Sequence, residues 1–557
     1  MRTRLFAILP ALLLLVASAV PAAAALDDAK MKTVKGEYEK TLKQGQSTDD
    51  FQLRIRAYKM LEGADHEDAA KLLIAALKDE KHATCLRTIC ETCASFRAEG
   101  VVKLFVAEAA PKGKSPLDNR CKLLRTLPLT QTKVAYDGVL AILDDKKSDL
   151  QFEVAGLDAL ALFGSAAAPS KDRAVVRLKH SFRSVRIAAC NALGAICEGS
   201  KDEATATALI DLLEKGDGND VDYARQALMK ITGVDCGLDV REWRNWLFNQ
   251  KFPNAKEDDP NRPGATSVKK PRKTTDYFGN EITAQRMVFV IDCSKSMLEP
   301  VSGKDRLQNV ITEERKKVKK PVITGSDTGE TPEEKKPEEE APAGPPKDER
   351  KNPGGEGKRP LNWSAIKIKW DLASQELINT LESLPDDREF TIVFFSTNVW
   401  VWKPVLVKST PDNIKDAVLA IRRIKPDGNT NIFGALMKAF SLTTDPKLSE
   451  KLNGKAGPKG PVTGEKPAPE VEKEAIEKGA ESIYFLTDGA PTDGLITDSE
   501  NIRAFIEDYN SSRKVQINTF YIGDPGQGNH HGTSLMASLA HDSGGVYVDL
   551  AQEGNGR

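Results

Sequence analysis

Four apolar runs in the C-terminal half place the tightest limit on the fold. They are Met287-Val288-Phe289-Val290-Ile291, Phe390-Thr391-Ile392-Val393-Phe394-Phe395, Ile483-Tyr484-Phe485-Leu486 and Val515 to Ile522. Val546-Tyr547-Val548 adds a shorter run near the end of the chain. Apolar runs that do not alternate with polar residues belong to strands covered on both faces. Between them lie helical patterns, with Leu372, Leu377 and Leu381 recurring within Trp370 to Leu384, and another around Ile502 to Tyr509. Strands alternating with helices predict a parallel, doubly wound α/β sheet beginning near Thr283.

The first half has a different texture. A chain of 557 residues is too long for one hydrophobic core. From about Asp27 to Phe252 it reads as successive helices, with Ala69, Leu72, Leu73, Ala76 and Leu77 at the spacing of one buried face. Gly156-Leu157-Asp158-Ala159-Leu160, Ala189-Cys190-Asn191-Ala192-Leu193 and Ala224-Arg225-Gln226-Ala227-Leu228 share a pattern at a repeat of about 33 to 35 residues. Small residues at those positions let stacked helices approach closely. This half resembles HEAT-like helical repeats, with Ile231 to Leu247 as a closing turn and terminal helix. A non-repetitive helical bundle is the other arrangement compatible with the pattern.

Composition bounds the rest. With 40% hydrophobic and 29% charged residues and a formal net charge of −1, the chain has no long-range attraction for nucleic acid. Arg2 and Arg4 precede an apolar stretch from Leu5 to Val20, and Pro21 to Ala25 supplies small residues for cleavage. Residues 1–25 are therefore expected to be a secretory signal peptide, cut after Ala24 or Ala25, with an uncleaved anchor as the alternative. No later segment is expected to be apolar and long enough to cross a membrane, so the mature chain is expected, without stable membrane insertion, in the periplasm or outside the cell, as in exported bacterial proteins. Seven of the eight cysteines lie in the N-terminal half. Cys90-Glu91-Thr92-Cys93 lacks the second CxxC or HxxxH of a zinc site, and buried small hydrophobes are expected, with one or two disulfides left open.

These textures give a division into a helical-repeat domain at 26–252, a Pro-rich and basic connector at 253–282, and the α/β domain at 283–553. Within the latter, about 300–360 and 448–476 are rich in Lys, Glu, Pro and Gly, and are expected to be disordered inserts.

The chemistry-bearing residues follow the strands. Asp292-Cys293-Ser294-Lys295-Ser296 comes directly after the first apolar run. Gly428-Asn429-Thr430-Asn431 precedes a helix containing Ala435-Leu436, and Thr487-Asp488-Gly489 ends another strand. All three segments fall at the edge where open α/β sheets bind ligands. Two carboxylates and three hydroxyls are hard oxygen donors, suited to Mg²⁺ or Mn²⁺ rather than zinc or copper.

In these three ordered motifs the chain resembles the von Willebrand factor type A (vWA) family and its metal-ion-dependent adhesion site. The resemblance implies a Rossmann-like fold, with Ser294, Ser296 and Thr430 as hydroxyl ligands and Asp292 and Asp488 acting mostly through bound water. It further implies a coordination position for an acidic residue of a protein partner. Lys295 stands where a small residue is usual, and Asn429 where a second glycine is usual.

No catalytic arrangement accompanies these motifs. His530-His531 and His541-Asp542 lack a Gly-x-Ser-x-Gly elbow or a His-Glu-x-x-His run. Gly113-Lys114-Ser115 has Glu108 where a phosphate loop needs its first glycine. Cys293 is expected to be buried rather than reactive. The expected function is thus non-enzymatic, cation-dependent capture of a protein partner. A metal-independent scaffold using the helical-repeat surface, with a vestigial vWA site, is the alternative.

Overall fold

The computed structural model describes residues 26–145, 149–255, 262–263, 275–319, 358–455, 467–523 and 530–550. The expected signal peptide lies outside them. The chain divides into two compact units, residues 1–159 and 160–557.

The first unit is helical throughout its described residues. Its helices form for local reasons that the sequence displays. In Glu67–Asp79 the His66 side chain accepts from the Asp68 amide as a cap, while Ala69, Ala70, Leu73 and Leu77 are buried along one face. Gly138 allows close approach to the neighbouring helix, because a Cβ there would meet Val106 Cγ1 at 2.4 Å. Glu108, read against a phosphate loop, accepts from the Lys114 and Ser115 amides and the Ser115 hydroxyl, and so closes a turn. Cys90 and Cys93 are buried on helix Ala83–Ala94, and burial pushes the Cys93 thiol well up. All eight cysteines are buried.

One expectation needs correction here. Leu150–Ser170 is long and apolar enough to cross a membrane by length and composition. Half of that span is nevertheless buried within the protein, and its Asp158 is paired with Arg125 at 2.9 Å. Those are properties of a core helix.

The second unit joins further helices to a mixed sheet. Helices Arg183–Ile196 and Asn219–Thr232 meet at small residues, since a Cβ on Gly194 would lie 3.2 Å from the Ala227 Cα. Strands β1 (Thr275–Tyr277) and β2 (Asn280–Ile282) form an antiparallel hairpin inside the expected connector. The main sheet holds β3 (Arg286–Asp292), β4 (Glu389–Phe395), β5 (Val399–Val401), β6 (Val407–Lys408), β7 (Ser482–Thr487), β8 (Gln516–Tyr521) and β9 (Tyr547–Asp549). Its order is β5-β4-β3-β7-β8-β9, with β6 also against β4. The pairs among β3, β4, β7, β8 and β9 are parallel, whereas β5 and β6 run antiparallel to β4 at the edge. Apart from the ends at Arg286 and Glu389, β3 and β4 are buried along their length, as are β7 and β8. This is the doubly wound α/β fold expected of the apolar runs. Because β4 and β7 flank β3 on opposite sides, the carboxyl end of β3 is a topological switch point.

The amino end of the same sheet is tied to the helices before it. Asn219 is fully buried and donates through Nδ2 to the Glu481 carbonyl and the Ser482 hydroxyl, both at 2.9 Å. The Glu481 carboxylate pairs with Arg183 at 3.1 Å and Arg286 at 3.0 Å. These buried ties explain why the compact division falls between 159 and 160 rather than at the change of composition near 253.

The two inserts are less extensive than composition implied. Residues Lys304–Lys319 form a helix whose Leu307 and Ile311 are buried in the sheet-side core. Arg315 on it reaches Asp276 at 3.0 Å and Glu376 at 3.1 Å, and Lys358 reaches Glu376 at 2.5 Å. In the second insert, helices Pro446–Lys455 and Pro469–Lys478 bring Leu448, Leu452 and Ala475 together in a small core. Residues 320–357 and 456–466 lie outside the described residues.

Candidate functional site

Strand β3 delivers Asp292 to the switch point, and the chain then turns through the short helix Lys295–Leu298. Asp292 is fully buried; its Oδ1 accepts from the Ser294 amide at 2.7 Å and its Oδ2 from the Thr487 hydroxyl at 2.6 Å. The Ser294 and Ser296 hydroxyls are 3.0 Å apart, and Ser296 donates to Asp488 Oδ1 at 2.7 Å. Four of the five residues named from sequence are therefore joined by hydrogen bonds, directly or through Thr487.

Thr430 enters from the adjacent loop. Gly428 adopts φ +88°, a left-handed conformation open to glycine, and its carbonyl accepts from the Lys295 amide at 3.0 Å. The Thr430 amide donates to the Thr492 hydroxyl at 3.0 Å, and the Thr430 carbonyl accepts from the Thr492 amide at 2.9 Å. Its hydroxyl lies 3.9 Å from where a Cβ on Gly489 would stand, next in sequence to Asp488. Asn431 then caps helix Ile432–Phe440 by accepting from the Gly434 amide at 2.8 Å.

The electrostatics of the cluster are unbalanced. Burial first, and the charge of Asp488 second, push the Asp292 carboxyl well above the ordinary carboxylate range. Two buried carboxylates and the hydroxyls of Ser294, Ser296 and Thr430 form a donor set that fits a small hard dication, which would relieve that repulsion. Among the described residues no three His, Cys, Asp or Glu side chains converge as a metal cluster, so hydroxyls would have to complete any coordination here.

The two departures noted in the motifs are harmless to this arrangement. Lys295 is exposed, and Asn429 is exposed with its Nδ2 3.3 Å from Asp493 Oδ2. The cation that does reach the cluster was not foreseen. Lys369, first residue of helix Lys369–Glu382, is buried and places Nζ 3.0 Å from Asp488 Oδ2 and 2.6 Å from Glu299 Oε2. Burial opposes its charge, but Glu299 and Asp488 outweigh burial and hold the ammonium pKa above the usual lysine value. The only sequence signal for it is a lysine in a helix's first turn, where a cation faces the positive end of the helix dipole.

Other candidates separate from the cluster. Cys293 is buried and its thiol pKa is driven well up, chiefly by burial. His541 is exposed on helix His530–Ser543, and the neighbouring Asp542 carboxylate is engaged by Arg503 at 2.7 Å.

Comparison with known proteins gives a consistent picture. Residues 366–549 match the family described as von Willebrand factor type A domain. That span contains Thr430 and Asp488 and begins after the Asp292 to Ser296 segment. The chain is 25% identical over 173 residues to inter-alpha-trypsin inhibitor heavy chain H3 of Mesocricetus auratus, covering 30% of this chain and 16% of that one. It is 27% identical over 172 residues to heavy chain H4 of Homo sapiens, covering 31% and 15%. To heavy chain H2 of Mus musculus it is 35% identical over 88 residues, covering 16% and 9%. The chain thus spans less than a fifth of the length of these relatives. A solved structure, a mutant PilB minor pilin from Streptococcus sanguinis, overlaps 48% of this chain and 57% of that chain at 13% identity and a TM-score of 0.25, too loosely to carry an argument.

Proposed function

Because residues 366–549 are a von Willebrand factor type A domain, a protein-interaction module, we propose that the chain captures a protein partner through a divalent cation. Asp292, Ser294, Ser296, Thr430 and Asp488 would hold the ion, Mg²⁺ or Mn²⁺, and the partner would present an acidic residue to it. The ion would supply a Lewis-acidic anchor for that carboxylate in a partly dry cleft. The observation that carries this reading is the convergence of these oxygen donors at the switch point, around an Asp292 whose charge is opposed by burial and by Asp488.

The role proposed is adhesion or scaffolding rather than catalysis, by a protein exported through residues 1–25. Nucleic acid has no part in it, and neither does stable membrane insertion after cleavage. The chain's own residues divide the work. Thr487 and the Ser294 amide orient Asp292, and the Gly428 turn sets the loop that presents Thr430.

A second reading has one specific observation behind it. Lys369 already supplies a positive charge to Asp488, so a metal-free vWA scaffold would be electrostatically tolerable. Calorimetric titration of the purified chain with Mg²⁺ and Mn²⁺, with and without millimolar acetate, separates the two. One ion bound per chain, lost in a Thr430→Ala, Asp488→Ala double variant, is the expected result. No heat of binding in any arm would leave the scaffold reading.

A further inference from the structure

Lys369 is poorly explained as a structural ion pair alone. A lysine at the start of a helix faces an unfavourable dipole, and burying its ammonium costs hydration. Both costs are met here by sharing the charge between Glu299 and Asp488, the second a residue of the candidate cation site. The side chain is 5% exposed, and its backbone amide donates to the Glu299 carbonyl at 3.0 Å, so the ammonium is held in position from both ends.

Glu299 differs from Asp488 in one respect that matters. Its side chain is 52% exposed, whereas that of Asp488 is fully buried. The ammonium therefore has a solvated second partner at 2.6 Å and keeps a counter-charge if it moves off Asp488.

We propose that Lys369 is a resident counter-cation that makes divalent-ion uptake at this site depend on an incoming carboxylate. This rests on the reading of the site given above. With Lys369 on Asp488, the two carboxylates are already partly neutralised, so the attraction for a dication is weakened. Once a dication is held, it offsets Asp292 and Asp488, and the Lys369 ammonium, balanced only by the half-exposed Glu299, adds positive potential that strengthens the attraction for a partner carboxylate. Ion and carboxylate attract one another directly and so bind cooperatively and reciprocally, and Lys369 deepens the dependence by weakening the ion alone while favouring the carboxylate. Glu299 sets the balance, because it draws the ammonium away from Asp488.

The test is Mn²⁺ titration of the full chain by calorimetry, alone and in millimolar acetate, for wild type, Lys369→Met, Lys369→Arg and Glu299→Gln. Lys369→Met should bind Mn²⁺ alone on the order of tenfold more tightly, by loss of a like charge beside the site, while a given acetate concentration tightens it several-fold less than in wild type. Lys369→Arg should restore the acetate dependence. Glu299→Gln, a change at a half-exposed residue, should weaken Mn²⁺ binding in the absence of acetate. A purely structural role for Lys369 would instead lower affinity in both conditions together with the melting temperature. If Lys369→Met is folded, binds Mn²⁺ no more tightly than wild type and keeps the acetate effect, the proposal is wrong and the cation site stands. If wild type and Lys369→Met both fail to bind Mn²⁺ even in acetate, the site and the proposal fall together.

Discussion

Asn219 shows how much a single buried amide can hold. Its side chain spans the Glu481 carbonyl, the Ser482 hydroxyl and, at 3.4 Å, the Thr283 hydroxyl, with none of it exposed. Asn219→Ala would leave those groups without partners in a dry place, and should cost about 2 to 4 kcal/mol in urea unfolding. The preceding Gly218 is equally constrained, with φ +55° and a Cβ position 2.2 Å from Glu481 Oε2. None of this was legible from sequence, since Glu481 and Ser482 lie 262 and 263 residues from Asn219 and Thr283 lies 64 away. The candidate site divides in the same way. Asp292, Ser294, Ser296, Thr430 and Asp488 could be named because each sits at the end of a recognisable strand or the start of a recognisable helix. Lys369 could not, because no motif surrounds it and its meaning depends on a contact across 119 residues. Lys295, the lysine that the motif made conspicuous, is the exposed one.

Among elements, the long buried strands were legible because a covered strand must be apolar on both faces. Strands β1, β2, β5 and β6 were not, because two or three residues are too few to show a period. Helix Lys304–Lys319 was hidden by its charge, with Leu307 and Ile311 as its buried contacts among many lysines and glutamates. Helix Pro469–Lys478 was hidden likewise, and it is anchored by a buried ion pair. Glu472 takes both Arg513 Nε at 2.8 Å and Nη2 at 2.6 Å, and Arg513 also donates to the Phe440 carbonyl at 2.9 Å. Glu472→Ala would strand a buried guanidinium and should destabilise the protein by about 3 to 5 kcal/mol, read from the urea midpoint. The pair at β1 gives a pH signature. Burial raises the Asp276 carboxyl, but Lys358 and Arg315 together outweigh it and leave its pKa below the ordinary value. A depressed folded pKa contributes stability in full above the unfolded value of about 3.9, and loses it as pH falls through the folded one. Between neutral pH and about 4 this group should therefore be silent. Below that, the stability of wild type should fall more steeply with pH than that of Asp276→Asn, as followed by thermal melts across an acid series.

For the whole molecule, the helical first half and the α/β second half were both legible, but the compact division was not. A change of composition marks where the chain becomes polar, whereas the division between units follows buried contacts such as Asn219 with Glu481 and Arg183 with Glu481. One consequence follows from the way the first insert is fastened. Arg315 before it and Lys358 after it converge on the same Glu376, so the described residues on either side of 320–357 meet at one doorway. Replacing them with a short Gly-Ser bridge should keep the melting temperature within a few degrees, and lower loop closure by about 1 kcal/mol. Retention of the Mn²⁺ behaviour in that variant would check that residues 320–357 are not needed for the site. The vWA domain would then be a natural cassette holder: a frame with a stapled opening, into which lengths of unrelated sequence can be exchanged without disturbing the sheet.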